Sequence, residues 1–469
     1  MKRTKIIATL GPATNTSEKI SDLINSGMDV ARINMSHTQD KEYLIDLVKK
    51  IRTEAKKFNR SVSILMDLAG PKLRVKRFSK NKKITITKGN TYSLGYDDAD
   101  IPIDVNLKFK SIDEGAAVKI DDGTISFNVL NHKNEKLELS AENSGEILSG
   151  KGVNFPGITL NIPAVTDKDL HDVRIAIELE IDWIAMSFVR NVDDSFPVID
   201  IFNRYSKSIP MIAKIEKPEA LENLSQIIDH FDGILVARGD LGVEMPLQEL
   251  PILQKKIVNR CLRKRKPVII ATQMLETMIE NPIPTRAEVN DVANAIYDGA
   301  DAVMLSGETA MGKYPIKTLN IMSDIIKSVE KDFDQSNFNR NIQIQKNVII
   351  DNRQSIAHAV FTLVNDMKIN HIVVMTETGK TAKQMALYRP DATIYALCPN
   401  WNICRELNLI WGIIPILVED INSTDQMLNY SSIVLKKLKF LREGDEYILT
   451  AGVPVGVSGT TNMLKIHIA

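Results

Sequence analysis

Short apolar runs rich in β-branched residues recur along the chain, and most are followed by a longer stretch whose apolar positions repeat every three to four residues. The first pattern predicts strands and the second amphipathic helices; their alternation predicts a parallel sheet made of strand–helix units. Eight such runs, KIIATL, VARINM, SILMDL, WIAMSF, MIAKIE, GILVAR, VIIATQ and AVMLSG, lie before residue 308. The stretch TSEKISDLINSG shows the helix punctuation expected between them, with Thr and Ser at its start and Gly at its stop. Eight strands with intervening helices predict a TIM (β/α)8 barrel. The rhythm breaks between SILMDL and WIAMSF, where turn residues separate the β-type runs KITITKGNTYSL, AAVKIDDGTISFNVL and EKLELSAE. That segment predicts a small β-barrel domain inserted at one βα loop. Past residue 333 a polar stretch, DQSNFNRNIQIQKN, leads to strands at HIVVMT, TIYALC, IIPILV and EYILTAG, an open α/β domain. The expected layout is a barrel over 1–70 and 157–333, an inserted β domain over 71–156, a linker over 334–347 and a C-terminal α/β domain over 348–469.

Composition narrows the class without naming a chemistry. A chain of 469 residues is too long for one ordinary core. Apolar residues make up 44% and charged residues 25%, the balance of a soluble globular protein. The 59 basic and 59 acidic residues cancel, and no basic patch with interleaved aromatics occurs, so nucleic acid is not an expected partner. Cys261, Cys398 and Cys404 lack metal-ligand spacing and fit a reducing compartment. The N-terminal MKRTKIIATLGPAT is too short in its apolar run for a signal peptide, and no stretch is long enough to span a bilayer. A cytoplasmic protein without a membrane partner is expected.

Barrel active sites form at the carboxyl ends of the strands. Those ends carry Arg32, Asn34 and Ser36; Asp67; Lys214 and Glu216; Arg238 and Asp240; Thr272; and Ser306. Solvated strand ends explain one such residue, but not so many converging on one face. Lys214 and Glu216 are two apart and share a strand face, as do Arg32, Asn34 and Ser36. Glu216 and Asp240 come from successive strands and suit Mg²⁺, which takes one or two protein carboxylates plus substrate oxygens and water. The competing reading pairs them with Lys214 and Arg238 as ordinary salt bridges. Lys214 and Arg32 add positive charge suited to a phosphoryl group or an enolate oxygen. Glycines in RGDLGVE free backbone N–H groups for an anion, a weak signal alone. The residues themselves lead to a Mg²⁺-dependent barrel enzyme acting on a small anion.

The same residues carry a family likeness. KIIATLGPAT, ARINMSH, KGVNFPG, AKIEKPEAL, ARGDLGVE, ATQMLETM and PTRAEVNDVANAIYDGADAVMLSGETA together resemble the pyruvate kinase family, essentially from end to end. The resemblance implies transfer of the phosphoryl group of phosphoenolpyruvate to ADP, giving pyruvate and ATP. It implies that Glu216 and Asp240 hold Mg²⁺ or Mn²⁺, that Lys214 stabilises the phosphoryl group and that Arg32 supports it. Gly239, Asp240 and Thr272 receive the substrate carboxylate; Thr272 lies near the carbon that accepts a proton, with Ser306 further along that relay. Asn34, His37, Arg74 and Lys151 face the nucleotide. The inserted domain is similar to the family's lid, hinged at Pro71 and NFPG.

In many members K⁺ sits beside the phosphate on ligands matching Asn34, Ser36, Asp67 and the carbonyl of Leu68. Those members usually have Thr at position 68 and Glu at position 72, where this chain has Leu68 and Lys72. The combination resembles the branch that works without K⁺, Lys72 supplying a tethered ammonium; the competing reading is a solvated turn lysine. In the C-terminal domain, TETGKT (Thr376, Thr378, Gly379 and Thr381) and GVSGTTN resemble the family's pocket for a phosphorylated effector, whose identity does not follow. An ordinary capped turn is the alternative there. The chain ends at LKIHIA, so the further C-terminal domain of some bacterial members is not expected, and a homotetramer is. A Mg²⁺-dependent pyruvate-enolate aldolase and an inactive effector-binding protein compete as readings. KGVNFPG, Arg74 and the insertion weigh against the first, and the presence of Lys214, Glu216, Asp240 and Thr272 against the second.

Overall fold

The structure is a computed structural model and describes residues 2–38, 40–78, 83–107, 109, 112–133, 135–160, 162–332, 352–419, 423–454 and 461–469. The expected linker 334–347 and most of GVSGTTN lie outside the described residues.

All eight expected barrel strands form: Lys5–Thr9, Val30–Asn34, Ser63–Asp67, Trp183–Met186, Met211–Ile215, Gly233–Ala237, Val268–Ala271 and Ala302–Leu305. They close into one parallel barrel in chain order, the last pairing with the first. Alternation divides each strand between two cores. Ile7, Val30, Leu65, Trp183, Ala185, Ile212, Leu235, Ile269, Ala302 and Met304 fill the barrel interior, while Ile6, Ile33, Met66, Ala213 and Ile270 pack outward against the helices. The first helix, Ser17–Asn25, starts where its sequence predicts: the Thr16 side chain accepts from Lys19 N, and Gly27 follows at φ +108°.

The insertion after the third barrel strand forms a six-stranded sheet and a two-stranded ribbon around its own core, which includes Ile86, Leu94, Val118, Phe127, Leu139 and Phe155. Arg74 bridges Gly152 at one edge of the larger sheet and Val75 bridges Ile103 at the other, so this short segment joins the two edges.

The C-terminal sheet contains the four expected strands in parallel, in the order Ile413–Leu417, Thr393–Cys398, His371–Met375 and Glu446–Gly452. A fifth, Thr461–Ile468, adds antiparallel at its edge and was not among the expected strands. Leu409 enters the barrel-interior core, and Asn408 Nδ2 donates to the carbonyls of Asp29 (2.6 Å) and Ser61 (2.9 Å). The C-terminal domain therefore caps the end of the barrel where strands begin, leaving the opposite end to the inserted domain. Among the described residues no helix is long and apolar enough to cross a membrane.

Candidate active site

At the carboxyl end of the barrel the interior positions change from apolar to charged. The fifth strand carries this change furthest: Ile212 packs inside, and Lys214 and Glu216 follow on the same face. Lys214 Nζ donates to Ser187 Oγ at 2.7 Å and lies 2.9 Å from Glu216 Oε1 and 3.2 Å from Asp67 Oδ1. Asp67, at the end of the third strand, accepts from Arg32 Nε at 2.8 Å, with Arg32 Nη2 2.7 Å away; Arg32 Nη1 donates to Thr9 Oγ1 at 2.9 Å. Arg32, Asp67, Lys214 and Glu216 thus form one buried charged layer contributed by three strands.

Their electrostatics follow from that contact order. Burial would discharge Lys214, but the carboxylates of Asp67 and Glu216 outweigh it and raise its pKa above the ordinary lysine value. Burial also opposes ionisation of Asp67, yet Lys214 and Arg32 hold its carboxyl below the usual range. In Glu216 burial prevails, aided by the Asp240 charge, and the carboxyl is raised. Glu216 Oε2 accepts from Phe188 N at 2.7 Å. Its Oε1 is buried beside Lys214 but off the line of any hydrogen bond.

Asp240 lies in the short helix Arg238–Glu244 and accepts from Lys72 Nζ at 2.8 Å on Oδ1. Burial works to raise its pKa, and the Lys72 and Lys214 cations bring it below the usual carboxylate range. Lys72 is therefore brought onto Asp240, whereas its sequence position beside Asp67 suggested the K⁺ ligands. Of the positions expected around K⁺, Asn34 and Asp67 are partners across neighbouring strands. Asn34 Oδ1 accepts from Ser36 N at 3.1 Å, and the Leu68 carbonyl accepts from Ser187 Oγ at 2.8 Å. Ser36 sits in the turn after its strand, so the alternation that links Arg32 and Asn34 does not extend to it.

The seventh-strand loop is strained. Thr272 and Gln273 have φ of +68° and +54°, and Phe188, after the fourth strand, has φ +56°. Left-handed backbone is costly for a β-branched threonine and persists only where surrounding contacts fix it. Arg238 provides those contacts, donating through Nη2 to the carbonyls of Thr272 (2.7 Å) and Gln273 (3.3 Å) while Nη1 donates to Asp291 at 2.7 Å. Arg238 thus pairs with Asp291, not with Asp240 as the salt-bridge reading required. Thr272 Oγ1 accepts from Gly239 N at 2.7 Å, joining the sixth- and seventh-strand loops. Buried Glu308 links the seventh to the eighth, accepting from Leu275 N (3.3 Å) and Ser306 N (2.7 Å).

The remaining expected residues are more dispersed. Arg74 Nη1 donates to the Gly150 carbonyl at 3.1 Å, and Lys151 pairs with Asp121 at 2.8 Å within the inserted domain. His37 is held below the ordinary imidazole value by partial desolvation of its ring, and then by the Arg74 and Arg32 charges. In the C-terminal domain Thr376 Oγ1 accepts from Gly379 N at 2.9 Å, and the hydroxyls of Thr381 and Thr461 share a hydrogen bond of 2.6 Å. Gly379 has φ +75°, and Thr378 is exposed.

Sequence reasoning passed over Ser187, Thr9, Glu308 and the scaffolding role of Arg238. Ser187 follows Trp183 and Ala185 in alternation within WIAMSF, and Thr9 ends KIIATL, so both were open to the same strand-end rule. The role of Arg238 carries no local signal, because the carbonyls it grips lie on another loop.

A closed barrel whose charged layer sits where its strands end, beneath an inserted β domain, has the form of a (β/α)8 enzyme that handles a small anionic substrate. The model of the pyruvate kinase barrel domain matches residues 1–319, and that of the pyruvate kinase alpha/beta domain matches residues 354–467. Pyruvate kinases of Staphylococcus aureus strains USA300 and COL are each 38% identical over 479 residues, an alignment covering 100% of this chain and 80% of theirs. The chain belongs to the pyruvate kinase family.

Proposed function

We propose that the chain transfers the phosphoryl group of phosphoenolpyruvate to ADP, forming pyruvate and ATP as in the last step of glycolysis. Lys214 carries this reading. Its ammonium is buried yet kept charged by Asp67 and Glu216, at the end of the barrel where substrates bind. A fixed cation in a site of low dielectric suits a phosphoryl group whose charge spreads over its oxygens during transfer.

A divalent metal fits the donor set. Glu216 Oε1 is buried without an aligned partner, and among the described residues nothing donates to Asp240 Oδ2. No group of three or more His, Cys, Asp or Glu side chains gathers among the described residues, and Mg²⁺ needs only one or two carboxylates. Glu216 and Asp240 are the residues that would hold Mg²⁺ or Mn²⁺. When bound, the ion neutralises charge on substrate and phosphoryl oxygens. Arg32 adds a second cation beside Lys214. The Gly239–Asp240 backbone with Thr272 receives the substrate carboxylate, and Asn34, His37, Arg74 and Lys151 face ADP. The phosphorus–oxygen bond of phosphoenolpyruvate breaks with its electron pair left on the enol oxygen, while an oxygen of the ADP β-phosphate bonds to phosphorus. The enolate then takes a proton at its methylene carbon through the side bearing Thr272, with Ser306 further out. The inserted domain excludes water that would compete with ADP.

Finer readings accompany the reaction. Lys72 with Leu68 supplies a tethered positive charge, so K⁺ is not required. The assembly is a homotetramer in the cytoplasm, supported by apolar side chains exposed on the barrel (Leu247, Ile283 and Met311) and on the C-terminal domain (Ile433 and Ile468). The Thr376–Thr381 loop is the place for a phosphorylated effector. Thr378 is exposed in that loop, while Thr376 Oγ1 accepts from Gly379 N and the Thr381 hydroxyl bonds to that of Thr461.

The test is pyruvate formation from phosphoenolpyruvate and ADP with Mg²⁺ in a tetramethylammonium buffer, before and after adding K⁺. Full rate without K⁺ is expected. Turnover that starts only with K⁺ keeps the reaction and overturns the role given to Lys72, and no turnover in either buffer overturns both.

A further inference from the structure

The corner after the fourth barrel strand meets the charged layer at two points. Ser187 Oγ accepts from Lys214 Nζ at 2.7 Å and donates to the Leu68 carbonyl at 2.8 Å. The next residue, Phe188, donates its N–H to Glu216 Oε2 at 2.7 Å. One dipeptide therefore orients both charged side chains of the fifth strand. Its hold on Glu216 is selective: Oε2 is engaged, while Oε1 is buried without an aligned partner. The last torsion of a glutamate is broad, so its carboxylate turns unless something fixes one oxygen. Among the described residues, the Phe188 N–H is the one hydrogen-bond donor aligned on it.

That N–H is aimed by a costly backbone. Phe188 has φ +56°, in the left-handed region, which a bulky residue keeps only where its surroundings hold it there. The residue is buried, and it lines a cavity with Pro71 and Leu73 of the segment entering the inserted domain and Val153 and Phe155 of the segment returning from it. Its ring also lies against Gly70. A Cβ there would stand 2.9 Å from both Phe188 Cδ2 and Ser187 Cβ, so the missing side chain gives the corner its room. An apolar ring resists leaving such a seat for water, and while it stays the backbone cannot relax.

We propose that Phe188 is a positioning residue for the metal carboxylate. Its ring, seated where the inserted domain joins the barrel, holds the left-handed backbone whose N–H fixes Glu216 Oε2 and leaves Oε1 for the ion. Packing at this seam then supports metal binding. The role rests on Glu216 being a metal ligand.

Mn²⁺ binding to the full chain, read from free Mn²⁺ by electron paramagnetic resonance, tests this without turnover. Phe188→Ala removes the ring but not the backbone strain, so the corner relaxes and affinity should fall about ten-fold, the low end of the loss when a ligand's outer partner is removed. Phe188→Gly removes ring and strain together, because glycine takes left-handed φ freely, and affinity should recover to within about three-fold of wild type. A ring acting by bulk alone would make the glycine variant the weaker of the two. Benzene, which enters apolar cavities left by truncated side chains, should raise the affinity of Phe188→Ala toward wild type. If neither small variant folds by circular dichroism, Phe188→Leu decides: affinity about three-fold below wild type supports the role, and unchanged affinity overturns it. Wild-type affinity in folded Phe188→Ala, or a glycine variant no better than alanine with no response to benzene, overturns the positioning role alone. Wild-type protein that binds no Mn²⁺ overturns the metal assignment and the positioning role with it.

Discussion

Replacing Lys214 with methionine removes a charge and little volume, so its consequences follow from the partners left behind. Asp67 keeps Arg32 at 2.8 and 2.7 Å and stays compensated. Among the described residues Glu216 keeps only the Phe188 N–H at 2.7 Å among hydrogen bonds to its carboxylate, in a site where burial already raises its pKa. The penalty therefore falls on Glu216. Stranding one member of a buried pair costs about 3–5 kcal/mol, and the remaining hydrogen bond puts the expected loss near the lower end, about 3 kcal/mol. The pH dependence has a definite sign. In the variant Glu216 binds its proton more tightly folded than unfolded, so stability falls as pH rises through the folded value and is regained as pH falls. Urea unfolding of wild type and Lys214→Met at about pH 8 and about pH 6 should show the gap narrowing at the lower pH. Loss of the fixed cation should lower kcat by about 10³-fold or more. A stability loss below about 1 kcal/mol with no pH dependence would refute the assignment of Glu216 as the uncompensated group.

Arg238→Met should release the Thr272–Gln273 carbonyls, lowering kcat by about ten-fold or more and stability by about 2–3 kcal/mol; steady-state kinetics and urea unfolding read the two effects separately. Gly70→Ala places a Cβ 2.9 Å from Ser187 Cβ at φ +64°, so a loss of about 1–2 kcal/mol and weaker turnover are expected, checked by melting and initial rates. Thr285→Ala removes one half of the capping box on the helix Arg286–Asp298 and should cost about 1 kcal/mol with activity retained, measured by urea unfolding and initial rates.

The barrel was legible because its signals are local and repeated. Each strand run has a period of two or a short apolar block, and all eight run positions recur in the closed sheet. The inserted domain announced itself as a change of period at SILMDL. The edge strand Thr461–Ile468 was missed because it lacks an apolar run: Asn462 and Lys465 are exposed, and even Ile466 and Ile468 lie open at the sheet edge, so only Thr461, Met463 and Leu464 carry its packing signal. The charged layer could be named from strand ends, but its pairings could not. Asp67 and Lys214 stand far apart in the chain, and nothing near Lys72 marks Asp240 as its partner. Arg238 shows the same limit more sharply, since a strand-end arginine read as site chemistry proves to hold a strained loop in place.

Phosphoryl transfer itself is the central claim, and ³¹P nuclear magnetic resonance follows it directly. With phosphoenolpyruvate, ADP and Mg²⁺, the γ-phosphate signal of ATP should grow in step with loss of the phosphoenolpyruvate signal. Glu216→Gln, folded by circular dichroism, should leave both nearly unchanged. Inorganic phosphate in place of ATP, or ATP formed at an undiminished rate by Glu216→Gln, would contradict it.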